Sequence, residues 1–129
     1  MSAGTGGRDV YEYALLRVVP RIERGECFNA GVAVYCRARS LVVVRTHLDE
    51  ARLRALDPGA DTAGVRAALR AAEEFCRGGA GRAAEEDPGR RFRWLVAPRS
   101  TVLQPGPVHT GLTADPAAEA ERLLALLVR

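Results

Sequence analysis

The chain has 129 residues, of which 47% are hydrophobic, 27% charged and 5% aromatic, so it is long enough for one compact domain and too short for two. Its formal net charge of +3 is far short of the concentrated positive charge that nucleic-acid binding usually requires, so nucleic-acid binding is the weakest of the functions considered. Residues 1–9 are small, polar and rich in glycine, and we expect a flexible N-terminus followed by a single α+β domain over residues 10–129.

The sequence also limits the cellular setting. No segment has the pattern of a signal peptide, and no apolar run approaches the roughly 20 residues that cross a bilayer. The three cysteines include no C-x-x-C pair, which argues against a zinc site and against a disulfide framework. We therefore expect a cytoplasmic protein with reduced cysteines and with no metal or cofactor.

Three β-strands are predicted in the first third of the chain. Residues 10–19 and 27–36 and the segment Leu41–Thr46 are rich in β-branched and aromatic side chains, which favour strands. Because the segments that connect them are short, neighbouring strands are expected to be antiparallel, as in a meander.

Helical patterns follow His47. Asp49 is predicted to cap a short helix that ends at Leu56, and apolar residues at helical spacing predict a longer helix over residues 62–77. Residues 78–86 are predicted to form a mobile loop. Asp87 and Pro88 favour a third helix up to residue 98, with a strand over residues 91–97 as the open alternative.

The C-terminal part is predicted to contain a short strand over residues 101–104, a loop rich in proline and glycine over residues 104–111, and a final helix after Asp115. The predicted fold class is therefore α+β. Helices pack on one face of an N-terminal three-stranded antiparallel meander, and a short C-terminal strand and a final helix complete the domain.

Side-chain alternation predicts two different faces of the meander. One face is wholly apolar and is expected to lie under the helices; its residues are Leu16, Val18, Phe28, Ala30, Val32, Val34, Val42 and Val44. The other face mixes tyrosines with polar residues. The sequence leaves open whether that second face is exposed, covered by the C-terminal segment or buried against another chain.

Four residues of the second face are predicted to form a notch. In the expected register Arg17 lies opposite Asn29, and Gly31 lies opposite Arg45. Two guanidinium groups beside a residue without a side chain suit a carboxylate or another anion. The alternative is that the arginines are the solvated part of an ordinary sheet and that Gly31 marks a β-bulge.

Three more residues are candidates for ligand binding. Glu26 lies at the tip of the first hairpin, Arg99 lies at a turn, and His109 lies in the C-terminal loop, where it could carry acid–base chemistry near neutral pH. Neither His109 nor His47 has a partner at the spacing of a metal site or a catalytic triad. A match to the dinucleotide-binding fingerprint at residues 79–84 follows a predicted helix instead of a strand, and we regard it as spurious.

Several segments carry a family resemblance: YEYALLRVVP, GECFNAGV, RTHLDEARLRAL, APRSTVLQPGP and GLTADP. Together they resemble the bacterial family catalogued as domain of unknown function 3037, from about residue 11 to residue 128. The residues that match its recurring pattern are Arg17, Pro20, Gly25, Glu26, Asn29, Gly31, Val32, Arg45, Arg99 and Asp115. The resemblance implies no activity, but it implies an accessory or regulatory partner for a kinase of the HipA type.

Two functions are compatible with these observations. The first is a non-catalytic interaction module that binds a protein partner or a second copy of the chain. The second is an enzyme or ligand-binding protein that recognises an anionic small molecule or a peptide carboxylate at the notch. The sequence favours neither membrane association nor nucleic-acid binding.

Overall fold

The computed structural model describes residues 7–77, 87–99 and 101–129, and within these ranges it has five antiparallel strands and four helices. The strands are β1 (Asp9–Val18), β2 (Phe28–Cys36), β3 (Leu41–Thr46), β4 (Leu103–Pro105) and β5 (His109–Thr113). The helices are α1 (Glu50–Leu56), α2 (Thr62–Cys76), α3 (Pro88–Leu95) and α4 (Pro116–Leu127). The α+β class and the N-terminal meander are confirmed.

Some predictions concern residues that the structure does not describe. The expected mobile loop over residues 78–86 and the fingerprint match at residues 79–84 lie outside the described residues, as do residues 1–6 of the expected flexible N-terminus. Within the described ranges, the helices are all too short and too polar to span a membrane.

Each helix begins after an aspartate whose side chain accepts hydrogen bonds from backbone N–H groups of the first turn. These capping residues are Asp49, Asp61, Asp87 and Asp115. A cap of this kind contributes about 1 kcal/mol, because the first N–H groups of a helix have no partner within it. The predicted helix starts are confirmed, and the strand alternative for residues 91–97 is wrong because α3 extends to Leu95.

The predicted C-terminal loop is partly a strand. His109, Thr110 and Gly111 belong to β5, which pairs with the first half of β1, while β4 pairs with the second half. Because β2 occupies only one edge of β1, the other edge is free to pair with these C-terminal residues. The strand order is β3-β2-β1-β4, with β5 beside β1 as well, so the sheet gains one more strand than the sequence predicted.

A β-bulge in β2 changes which residues share a face. Leu16 lies opposite Gly31, but the next residue of β1, Arg17, lies opposite Asn29. Ala30 is therefore the extra residue of the bulge. Because one extra residue reverses the side-chain alternation beyond it, the predicted apolar face is wrong on one side of the bulge.

Both faces of the sheet are covered by helices. Val32 and Val34 pack with Leu123 and Leu124 of α4, and not with Leu16 as predicted. Leu16 packs with side chains of α2 and α3 on the opposite face: Ala72, Cys76, Phe92 and Leu95. A third cluster under α1 and α2 joins Val18 and Ala30 to Leu53, Val65 and Leu69. The second face, whose state the sequence left open, is thus covered over β2 and β3 by α4.

Candidate functional site

An apolar cleft with a volume of about 370 Å³ opens between α2, α3 and β4. Its lining residues are Leu16, Ala68, Ala71, Ala72, Phe75, Trp94, Leu95, Arg99, Thr101, Leu103, Gln104 and Pro105. This volume lies at the lower end of the range for small-molecule sites, and it is enough for a few apolar side chains. Arg99 is the single charged residue of the lining within the described ranges.

The sequences of two helices create the walls of this cleft. On α2, Ala68, Ala71 and Ala72 are spaced so that they share one face, and their small side chains leave room. On α3, Phe92 and Trp94 are two residues apart, which places them on roughly opposite sides of a helix. Phe92 is 2% exposed in the core, so Trp94 points outward and is 53% exposed.

Aromatic rings and one guanidinium group form the rim. The ring centroids of Phe75 and Trp94 are 4.5 Å apart, and Cζ of Arg99 lies 4.3 Å from the Trp94 ring centroid. The Arg99 guanidinium also donates hydrogen bonds to the carbonyl oxygens of Trp94 and Ala97. In the described residues no carboxylate contacts it, so its positive charge is available to a ligand at the rim.

The predicted notch is only partly formed. Arg17 lies opposite Asn29, as expected. The second predicted pair is wrong, because Gly31 lies opposite Thr46, and Arg45 lies opposite Val32. The bulge shifts the register by one residue, so Gly31 faces α2 and α3 while Arg17, Asn29 and Arg45 face the α4 side. The alternative interpretation placed a bulge at Gly31, and the structure has one at the neighbouring residue, Ala30.

Two of the three polar residues on the α4 side already have partners. Asn29 Nδ2 donates to the carbonyl oxygen of Leu127 at 3.1 Å, and Arg45 forms an ion pair of 2.7 Å with Glu121. Arg17 differs, since its half-buried guanidinium has no hydrogen bond or ion pair within the described ranges. It lies against Gly106, where a Cβ atom would be 3.0 Å from Arg17 Cζ.

The remaining predicted site residues lie apart from one another. Glu26 accepts two hydrogen bonds from Arg24, at 2.7 and 3.2 Å, and this bonding lowers the pKa of its carboxyl. His109 is exposed on β5 with its ring 5.2 Å from that of Tyr13. Tyr13 lies four residues from Arg17 on the same face, so about 13 Å separates them along β1. Arg99 belongs to the cleft on the opposite face.

A partly buried hydrogen-bond network joins β1 to α4. The Tyr11 hydroxyl donates to Glu119 at 2.5 Å, and Arg122 donates to both carboxylate oxygens of Glu119, at 2.9 and 2.6 Å. Burial, together with the Glu119 carboxylate, raises the pKa of Tyr11 to about 12. The Arg122 hydrogen bonds lower the pKa of Glu119. Because the Tyr11 hydroxyl remains protonated well above neutral pH, it keeps its hydrogen bond to Glu119 there and so links β1 to α4.

A protein-family model described as protein of unknown function (DUF3037) matches residues 13–128. The chain belongs to this family. The match includes every residue that lines the cleft, so the cleft is part of the DUF3037 domain itself. No curated protein and no solved structure is similar to this DUF3037 chain.

The sequence did not identify the aromatic part of this DUF3037 cleft. Arg99 was predicted as a site residue, but Phe75 and Trp94 were not. The available signal was the two-residue spacing of Phe92 and Trp94, because two aromatic residues at that spacing in one helix cannot both enter the core. Among the described residues, no group of three His, Cys, Asp or Glu side chains is arranged to hold a metal ion.

Proposed function

We propose that this DUF3037 protein is a small cytoplasmic accessory module that binds a partner protein in the cleft between α2, α3 and β4, without catalysis of its own. The observation that carries the proposal is the half-exposed Trp94 beside an apolar cleft. Tryptophan and arginine are the side chains that most often dominate the energy of protein interfaces. Trp94 and Arg99 lie side by side at the rim of an apolar cleft, which is the composition of such an interface site.

The chemistry of the cleft defines the partner segment. Its apolar floor binds apolar side chains of the partner, and Arg99 at the rim binds a carboxylate of a neighbouring partner residue. The lining contains no His, Cys, Asp or Glu, which favours binding over acid–base or nucleophilic catalysis. The first partner that we propose to test is the kinase of the HipA type that the family resemblance implies.

Replacing Ala71 by arginine (Ala71→Arg) is expected to weaken kinase binding at least about tenfold, because a long charged side chain would fill the cleft. Trp94→Ala is expected to weaken it by about 30-fold, the effect of removing a typical interface anchor. Isothermal titration calorimetry of the purified kinase against the wild type and the two variants measures both effects.

The matched control is Ala67→Arg, which places the same side chain at another exposed position of α2 that does not line the cleft. We expect this variant to bind like the wild type. Equal losses for Ala67→Arg and Ala71→Arg would refute the cleft as the binding site. If the wild type fails to bind at about 100 µM, the kinase is not the partner.

Arg17 supports a second candidate function, the binding of an anionic small molecule or a peptide carboxylate. Nine arginines form ion pairs among the described residues. Arg17 does not, although it is half-buried. Partial removal of a guanidinium from water without a carboxylate partner is unfavourable, so an anion that contacts Arg17 would gain more than one that contacts an exposed arginine.

Acetate is the probe for this second candidate. We expect its titration to produce a saturable shift of the Arg17 side-chain Nε–H signal in a two-dimensional NMR spectrum. Arg17→Gln should abolish the saturable response, whereas Arg37→Gln, at an exposed arginine without an ion pair in the described residues, should preserve it. A response that survives Arg17→Gln, or a wild type that shows none, would exclude this site.

A further inference from the structure

The two edges of the sheet differ in how well they are protected against pairing with a further strand. At the β3 edge, Val42, Val43 and Val44 are all buried, and the Arg45 side chain donates a hydrogen bond to the Val44 carbonyl oxygen at 3.1 Å. Charged side chains that cover backbone groups are a common protection of edge strands. The β3 edge is therefore partly protected against pairing with another strand.

Among the residues that the structure describes, the opposite edge, formed by β4 and β5, has no such cover. Residues 101–114 contain no Arg, Lys, Asp or Glu, although 27% of the whole chain is charged. Pro105 protects β4, because proline has no N–H to offer. On β5, Leu112 is 45% exposed, and Val10, its neighbour on β1, is 58% exposed.

The register identifies the backbone groups of β5 that point away from the sheet. Gly106 N–H donates to the Leu15 carbonyl oxygen at 2.8 Å. The polar backbone groups of alternate residues of a strand point to the same side, so those of Tyr13 and Tyr11 face β5 and bond to His109 and Gly111. The N–H and C=O groups of Thr110 and Leu112 therefore point outward. Neither residue has a further backbone partner among the described residues.

We propose that the β5 edge is a self-association surface at which a second copy of this chain pairs antiparallel about a two-fold axis at Gly111. In that register Thr110 lies opposite Leu112 of the second copy, and the outward groups form four backbone hydrogen bonds. The axis also makes the two exposed Leu112 side chains diagonal neighbours across the new strand pair. The proposal is independent of the cleft.

The absence of charge favours a second copy as the occupant, and the contact area sets the strength that we expect. An edge without formal charge meets an identical edge with no like-charge repulsion, and it offers nothing that would select an oppositely charged partner. The contact is short, since two strands of five residues are about 17 Å long. Its area is therefore below the roughly 1,200 Å² of a stable interface, which is typical of weak, reversible association.

Sedimentation equilibrium of the whole chain between about 10 and 500 µM tests the proposal, with a reducing agent because Cys27 is exposed. We expect Leu112→Arg and Thr110→Pro each to raise the dissociation constant at least about tenfold. The proline removes only an outward N–H, which an edge strand tolerates. Circular dichroism melting identifies any variant that fails to fold.

The matched control is Leu126→Arg, which changes a 66% exposed leucine of α4 and should leave the dissociation constant unchanged. The proposal is overturned if the wild type remains monomeric at about 500 µM, or if folded Leu112→Arg and Thr110→Pro proteins dimerise like the wild type. A loss of dimers in Leu126→Arg alone would place the contact on α4 and would equally refute it.

Discussion

Gly31→Val is expected to destabilise the protein by about 3 kcal/mol, the upper part of the range for overpacking. A Cβ atom at position 31 would lie 3.0 Å from the backbone carbonyl oxygen of Arg45 and 3.1 Å from the Cγ2 atom of Thr46. The backbone oxygen cannot move away without separating β2 from β3. The two branches of valine add to this crowding between the strands, so the variant should unfold at a clearly lower urea concentration.

The control for this prediction is Gly59→Ala, in the turn before α2. A Cβ atom there would meet only the Asp57 carboxylate, at 3.7 Å, and the backbone is not in the left-handed region. Replacing such a glycine by alanine restricts the unfolded chain and typically stabilises by up to about 1 kcal/mol. Urea unfolding followed by circular dichroism measures both variants, and a Gly31→Val protein as stable as the wild type would contradict the close approach of β3.

Local signals in the sequence were sufficient to predict most of the helices and strands. Aspartates before helices act within one turn of the chain, so Asp49, Asp87 and Asp115 could be recognised as caps without knowledge of the tertiary structure. The bounds of β3 were predicted correctly for a similar reason, since a short run of valines lies between a turn and a change to helical spacing. These features depend on neighbours in the sequence.

The register of β2 could not be predicted because both sides of this strand are buried. Residues 30–34 are all apolar, so they contain no alternation between polar and apolar side chains that would reveal an extra residue. The bulge at Ala30 therefore left no trace in the alternation, and its local sign was the neighbouring Gly31, on which the alternative of a bulge was based. The predicted notch depended on that register, which explains why Arg17 and Asn29 were placed correctly relative to each other and Gly31 and Arg45 were not.

Pairing between segments that are distant in the sequence accounts for the other differences between the predicted and the observed structure. The glycines and prolines of residues 105–111 are typical of a loop, and β5 becomes a strand only because the free edge of β1 is available to it. The cleft likewise combines α2, α3 and β4. Phe75 and Trp94 are 19 positions apart in the numbering, and only packing brings their rings together.

Tyr11→Phe is expected to reduce stability at neutral pH by about 2 kcal/mol, because it removes a partly buried hydrogen bond to a charged carboxylate. It should also change the response to alkali. The folded-state pKa of Tyr11 is raised from its ordinary value of 10.0 to about 12, so its contribution is fully present below about pH 10. As the pH rises from 10 through 12, the wild type loses that contribution.

Urea unfolding of the wild type, Tyr11→Phe and Tyr13→Phe at several values between pH 7 and about 12 measures this linkage. Tyr13 is the matched control, since it lies on the same face of β1 and its hydroxyl forms no hydrogen bond among the described residues. Burial also raises the pKa of the Cys76 thiol, to about 12, so all three proteins lose stability in alkali. That shared loss cancels in the differences, and the stability advantage of the wild type over Tyr11→Phe should shrink only above about pH 10. A difference that stays constant up to pH 12 would mean that the Tyr11 hydroxyl is not held protonated by its burial beside Glu119.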